Sequence, residues 1–229
     1  IELNPWAKMV RLCRSGGEAN SVAIRIARAA SGRDKVAICG YHGWHDWYLS
    51  ANIKNSKLDD HIIPGLPVKG VPKALFKTVI PFEYNNYEQL EKIVKKNKIG
   101  TIKMEVARSE QPKNNFLQKV RNLANKHNII LIFDECTSGF RNCFGGLHKV
   151  FNVKPDMAMF GKALGNGHAV TAVIGKKDIM ETASKQGNLV PQLINLMSES
   201  APWLVGLLSV CALAANSGTT PPYWACKRF

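Results

Sequence analysis

Three short stretches hold residue types that do chemistry best when a fold brings them to one place. Lys162 stands in Phe160-Gly161-Lys162-Ala163-Leu164-Gly165-Asn166-Gly167, directly after an apolar run. An amine there is expected to be partly desolvated, which lowers its pKa and frees it to attack carbonyl carbon. Asp134 follows the apolar run from Ile129 to Phe133, and a carboxylate at the mouth of a buried strand needs a cation or donors to offset its desolvation. Gly16 and Gly17, in Arg14-Ser15-Gly16-Gly17-Glu18-Ala19, let backbone N–H groups at a helix start approach an anion such as a phosphate. Each stretch has a plainer meaning beside it: a surface lysine between glycines, a carboxylate capping a loop, and a Ser15/Glu18 capping box.

The elements able to position these residues alternate along the chain. Ala19, Val22, Ala23, Ile26, Ala27 and Ala30 recur at helical spacing and the run stops at Gly32. Lys35 to Cys39 then predicts a short buried strand, followed by a loop rich in aromatic and histidine residues. From Asn52 to Pro81, Pro64, Pro67 and Pro72 predict an excursion with little regular structure. Order resumes with a helix over about Tyr87 to Lys96, a strand Thr101 to Val106, a helix from Asn115 to Lys126, and apolar strands Ile129 to Phe133 and Met157 to Phe160. Helices alternating with strands that lack a polar face predict an α/β fold, a mostly parallel sheet covered on both sides. Ligands of such sheets bind where the strands end.

Composition sets bounds on function. The 229 residues suffice for one large domain or two small ones, and 45% hydrophobic with 21% charged residues is the balance of a soluble globular protein. The net charge of +14 could attract nucleic acid or an anionic membrane. Its densest run, Lys92 to Lys98, contains Ile93 and Val94 and predicts the solvated face and end of a surface helix. With no aromatic platform or groove-entering motif beside it, neither partner is expected. The apolar run Ala201 to Ala215 is 15 residues long, short of the roughly 20 that a spanning helix needs. Cys13, Cys39, Cys136, Cys143, Cys211 and Cys226 form no C-x-x-C pair and no secretory segment opens the chain, so reduced thiols in the cytoplasm are expected. Cys39, His42 and His45 match no zinc spacing, and no metal is expected.

Taken together, the motifs resemble those of a known family. The stretches PWAKMVRLCRSGGEANSVAIRIARAASGRDKVAICGYHGWHDW and LIFDECTSGFRNCFGGLHKVFNVKPDMAMFGKALGNGHAVTAVIG, within Pro5 to Met180, are similar to class III aminotransferases of PLP fold type I. Within that family they are closest to the branch of glutamate-1-semialdehyde 2,1-aminomutase and its relatives. The resemblance implies the large domain of that fold and pyridoxal 5′-phosphate as cofactor. Lys162 would hold it as a Schiff base and shuttle protons; Asp134 would pair with the pyridine nitrogen; Tyr41 would stack on the ring; Gly16 and Gly17 would donate to the phosphate. Cys136 falls where the family packs a residue beneath the ring, and Glu105 where a strand-end acid lies near the site. The implied function is that of an aminotransferase or aminomutase with a small-molecule amino or keto/aldehyde substrate, a homodimer in intact relatives. The alternative is a truncated or non-catalytic homologue that binds the cofactor or a partner without turnover.

The sequence also departs from the family. Gly17 stands where many members carry a hydroxyl residue. The chain starts inside the pattern and leaves it near Ala183, so residues 1–183 are expected to be a partial cofactor-binding domain. Residues 184–229 are expected to be a tail of other origin, from a frame error or chimeric join, with the small domain largely missing.

Overall fold

The computed structural model describes residues 2–54, 65–107 and 109–182; the tail from 184, with its apolar run, lies outside the described residues. Seven strands form one sheet: β1 (Met9–Cys13), β2 (Lys35–Cys39), β3 (Val79–Pro81), β4 (Ile99–Glu105), β5 (Ile130–Asp134), β6 (Met157–Phe160) and β7 (Thr171–Gly175). Their order across the sheet is β1-β7-β6-β5-β4-β2-β3. The β2/β3, β2/β4, β4/β5 and β5/β6 pairs are parallel, and β7 runs antiparallel to both β6 and β1. The sheet is therefore mostly parallel, as expected, with one reversed strand.

Helices cover both faces. α1 (Gly16–Ser31) lies across one, while α3 (Tyr87–Lys96) and α4 (Phe116–Lys126) cover the other; α2 (Asp46–Leu49) and α5 (Lys177–Met180) are single turns. Alternation along β5 shows why both faces are apolar. Ile130 and Ile132 pack with Ala19, Ala23 and Ile26 of α1, and Leu131 and Phe133 pack with Val120 and Leu123 of α4. Asp134 continues the Ile130/Ile132 side, as do its register partner Glu105 and, two residues back on β4, Lys103.

The helix ends follow local chemistry. Ser15 Oγ accepts the Glu18 N–H at the start of α1, and Gly32 closes it in a left-handed conformation at φ +62°. Asn86 caps α3 by accepting the Gln89 N–H. Leu90 and Val94 of α3 face inward while Lys92, Lys95, Lys96 and Lys98 are exposed, which is the solvated basic face foreseen. β4 begins two residues earlier than expected, through a bulge between its pairings with Lys35 and Val36. Gly100 lies at that bulge, and a Cβ there would come within 2.8 Å of the Arg33 carbonyl oxygen, so the close approach of the α1–β2 turn requires glycine.

Three strands were not foreseen. β1 carries Arg11 among apolar residues, β3 is a three-residue edge strand ending in Pro81, and β7 is a five-residue run between a glycine-rich turn and Lys176. The excursion from Asn52 therefore ends at β3, and its residues 55–64 are outside the described set. Among the described residues, no helix is long and apolar enough to cross a membrane.

Candidate functional site

Parallel strands deliver their C-terminal ends to one rim of the sheet, and four of them carry reactive groups there. β2 leads into Gly40-Tyr41-His42, β4 ends at Glu105, β5 ends at Asp134, and β6 leads into Gly161-Lys162. Fed by β1, the N-terminus of α1 brings Gly16 and Gly17 to the same rim.

Asp134 is the most tightly held of these groups. It is nearly buried, and its Oδ2 lies 2.9 Å from His42 Nδ1 and 3.3 Å from Lys103 Nζ. The Cys136 N–H donates to Oδ1 at 3.1 Å. Burial alone would raise the carboxyl pKa, but the Lys103 charge, the His42 hydrogen bond and the Cys136 N–H outweigh it and hold Asp134 well below the usual carboxylate range. The rim therefore presents a carboxylate that its surroundings favour in the charged form, with ordered partners on both oxygens.

Glu105, beside Asp134 in register, accepts the Tyr41 N–H through Oε2 at 3.3 Å. This contact demands glycine at position 40, where φ is +104° and a Cβ would stand 2.5 Å from Glu105 Oε2. Tyr41 is thus positioned through its own backbone, with its ring edge-on to Tyr48 at 6.0 Å. Cys136 lies between the rim's two glycine turns: a Cβ on Gly161 would meet its Sγ at 3.2 Å, and one on Gly16 at 3.8 Å. Burial, reinforced by the Asp134 charge, pushes the Cys136 thiol up, so it packs as a small neutral group.

The start of α1 is both a capping box and an open donor pair. Ser15 and Glu18 make the box, Glu18 reaching back to the Arg14 N–H at 2.9 Å. The N–H groups of Gly16 and Gly17 find no acceptor among the described residues, as expected for the first turn of a helix. The neighbouring loop closes over this turn, since a Cβ on Gly17 would lie 3.0 Å from His45 Nε2. His45 is itself fixed by Ser21 Oγ, 2.6 Å from its Nδ1.

Lys162 corrects one expectation. Its side chain is exposed, not partly desolvated, because it sits past the end of β6 in a 3-10 turn (Lys162–Gly165) with a left-handed backbone at φ +48°. Such a conformation costs a non-glycine residue roughly 1 kcal/mol and directs the side chain along the rim. There Nζ donates to Thr137 Oγ1 at 2.8 Å.

The structure thus brings Gly16, Gly17, Tyr41, Glu105, Asp134, Cys136 and Lys162 to one rim and adds three residues the sequence did not single out. His42, weighed above only as a metal ligand, is a fully buried partner of Asp134. Lys103 is a buried cation within β4, and Thr137 holds the Lys162 amine. The adjacency of His42 to Tyr41 was the available signal for the first; a lone lysine in an apolar strand was the signal for the second.

Comparison with known proteins follows the same outline. The family model for aminotransferase class-III matches residues 2–192. Over 188 residues the chain is 38% identical to a 3-aminobutyryl-CoA aminotransferase of Cloacimonas acidaminovorans, covering 79% of this chain and 42% of that protein. It is 37% identical over 190 residues to a glutamate-1-semialdehyde 2,1-aminomutase of Caldicellulosiruptor saccharolyticus, covering 79% and 43%. An omega-transaminase of Sphaerobacter thermophilus is similar in structure, with a TM-score of 0.67 at 28% identity over 79% of this chain and 43% of that one. The chain spans less than half the length of these relatives.

Proposed function

We propose, from the premise that the chain belongs to the class III aminotransferase family, that it is the cofactor-bearing part of a PLP-dependent aminotransferase or aminomutase. Its substrate class would be a small amino compound with a keto or aldehyde partner, and its active form a cytoplasmic homodimer. The observation that carries this reading is the convergence at one rim of an amine, a buried charged carboxylate and two open backbone donors.

The residues present fit the cofactor. Gly16 and Gly17 offer N–H groups at a helix start, suited to a phosphate. Asp134 offers a carboxylate kept charged in a buried setting, suited to a ring nitrogen, and Tyr41 offers an aromatic face. When bound, PLP supplies an electron sink for the bonds broken at the substrate carbon. The chain's own groups do the rest. Lys162 Nζ holds the cofactor and carries protons as acid and base, and Thr137 Oγ1 fixes that amine by accepting one of its N–H bonds. Asp134 presents negative charge through its Oδ atoms, Glu105 holds Tyr41 in place, and Cys136 fills the floor without a charge.

Mixing the purified protein with PLP should produce a visible absorbance band. Borohydride should then fix the cofactor permanently to the peptide containing Lys162. Lys162→Ala should give neither. A band absent from the unaltered protein would sink this reading.

A further inference from the structure

The turn at Gly17 is shaped by a side chain that has no part in that scheme. The loop after β2 lies directly on the start of α1: a Cβ on Gly43 would stand 3.3 Å from Gly17 Cα, and a Cβ on Gly17 would stand 3.0 Å from His45 Nε2 and 3.2 Å from His45 Cδ2. A side chain at position 17 would have to move the imidazole, because the ring edge already fills its space. The ring itself is held from several sides. The His45 carbonyl oxygen accepts the Tyr48 and Leu49 N–H groups at 2.9 and 3.1 Å, which pins its backbone at the start of α2. Ser21 Oγ, one turn along α1 from Gly17, lies 2.6 Å from Nδ1, and the Trp44 ring stands edge-on at 4.9 Å. When the Ser21 hydroxyl donates to Nδ1, the ring proton lies on Nε2. Among the described residues Nε2 has no hydrogen-bond partner.

We propose that His45 is a phosphate-binding residue, whose Nε2–H joins the Gly16 and Gly17 N–H groups as a side-chain donor from the space that a side chain at position 17 would fill. The proposal rests on the PLP reading for the identity of the anion. A ring fixed beforehand by Ser21 and by the α2 turn loses little freedom on meeting an anion, and a hydrogen bond to a charged oxygen is stronger than one between neutral groups. Gly17 and His45 are then a matched pair. The glycine leaves room for the ring, and the ring supplies the donor that the glycine lacks.

Pyridoxal, which has the same ring and aldehyde but no phosphate, separates this role from a structural one. The unaltered protein and His45→Ala are titrated with PLP and with pyridoxal, following the visible band. His45→Ala should raise the PLP Kd about tenfold or more, as loss of a hydrogen bond to a charged group implies, and leave the pyridoxal Kd unchanged. Adding Gly17→Ser to His45→Ala puts a hydroxyl into the vacated space and should recover most of the lost PLP affinity. An unchanged PLP Kd in His45→Ala, an equal loss for both ligands, or a double variant that recovers nothing overturns the proposal. A second measurement needs no variant: with PLP bound to the unaltered protein, nitrogen NMR should show a proton on His45 Nε2, its signal shifted from that in the pyridoxal-bound protein. An unprotonated Nε2, or one signal for both ligands, overturns the proposal. If the unaltered protein shows no band with PLP, the cofactor reading fails and takes this proposal with it; if the band forms and the His45 results are negative, this proposal fails alone.

Discussion

Asp134 and Asp156 are both nearly buried carboxylates at strand ends, on opposite rims of the same sheet, and both meet two side chains able to carry positive charge. Asp156, just before β6, takes Arg121 at 2.8 Å and Lys176 at 2.6 Å, and accepts the Leu131 N–H. One of its cations lies near the surface, the Lys176 side chain being 44% exposed, whereas the Arg121 side chain is 11% exposed. This cluster ties α4, β5 and the end of β7 together at modest desolvation cost. Around Asp134 the partners His42 and Lys103 are both fully buried, so charge is kept there against a much larger penalty. A sheet can be pinned by the first arrangement alone. The second is what a fold retains where a ligand will use the charge.

The largest test of this contrast is removal of each carboxylate. Asp134→Ala leaves Lys103 buried without a counter-charge and should cost about 3–5 kcal/mol in urea denaturation. Asp156→Ala lets Lys176 turn to water and takes one partner from the more buried Arg121, and should cost about 1–3 kcal/mol, leaving the PLP absorbance band unchanged. Equal losses would erase the distinction.

Acid gives the next effect. Because the folded-state pKa of Asp134 is depressed, its contribution is fully present above the unfolded value of about 3.9. As pH falls below that value, the unfolded chain takes up a proton that the folded chain refuses, and stability drops by at most about 1.4 kcal/mol per pH unit from this group. Denaturation midpoints measured from about pH 5 downward should fall less steeply in Asp134→Asn than in the unaltered protein. Parallel curves would show that Asp134 is not the group responsible.

The smallest expected effect touches the rim without touching either aspartate. Ser15→Ala removes the cap of α1 and should lower stability by about 1 kcal/mol, with no change in acid sensitivity. A shift in the acid profile would mean that the α1 turn and the Asp134 cluster are coupled.

Much of this site is legible in the sequence, for reasons that differ by residue. Asp134 is visible because Ile129 to Phe133 precede it, and an apolar run ending in a carboxylate is a strong local pattern. Gly32 is likewise visible as a helix boundary, since capping is local chemistry. The pairing of Lys103 with Asp134 is not visible, because it depends on the register of β4 against β5, a pairing between segments far apart in the chain. Lys162 is visible as a candidate, but its exposure is not: a turn of left-handed backbone, not the apolar strand before it, decides where the amine points. β1 and β7 escape notice because each is short, and β1 pairs with β7 alone.

That dependence of β1 on β7 gives β7 a further meaning in the order of chain synthesis. β1 and β6 flank β7 at successive strand spacings, so the turn with Gly16 and Gly17 and the turn with Lys162 stand about 10 Å apart across it. Thr171, the first residue of β7, donates its hydroxyl to the Ser15 carbonyl oxygen and so ties the α1 turn to β7. β7 is the last of the seven strands to be made, and it must enter between β6, made just before it, and β1, made first. A chain stopped short of Thr171 would carry every residue named at the rim yet lack the strand that holds β1 and the α1 turn beside β6, so completion of the site waits on five residues that contribute no catalytic group.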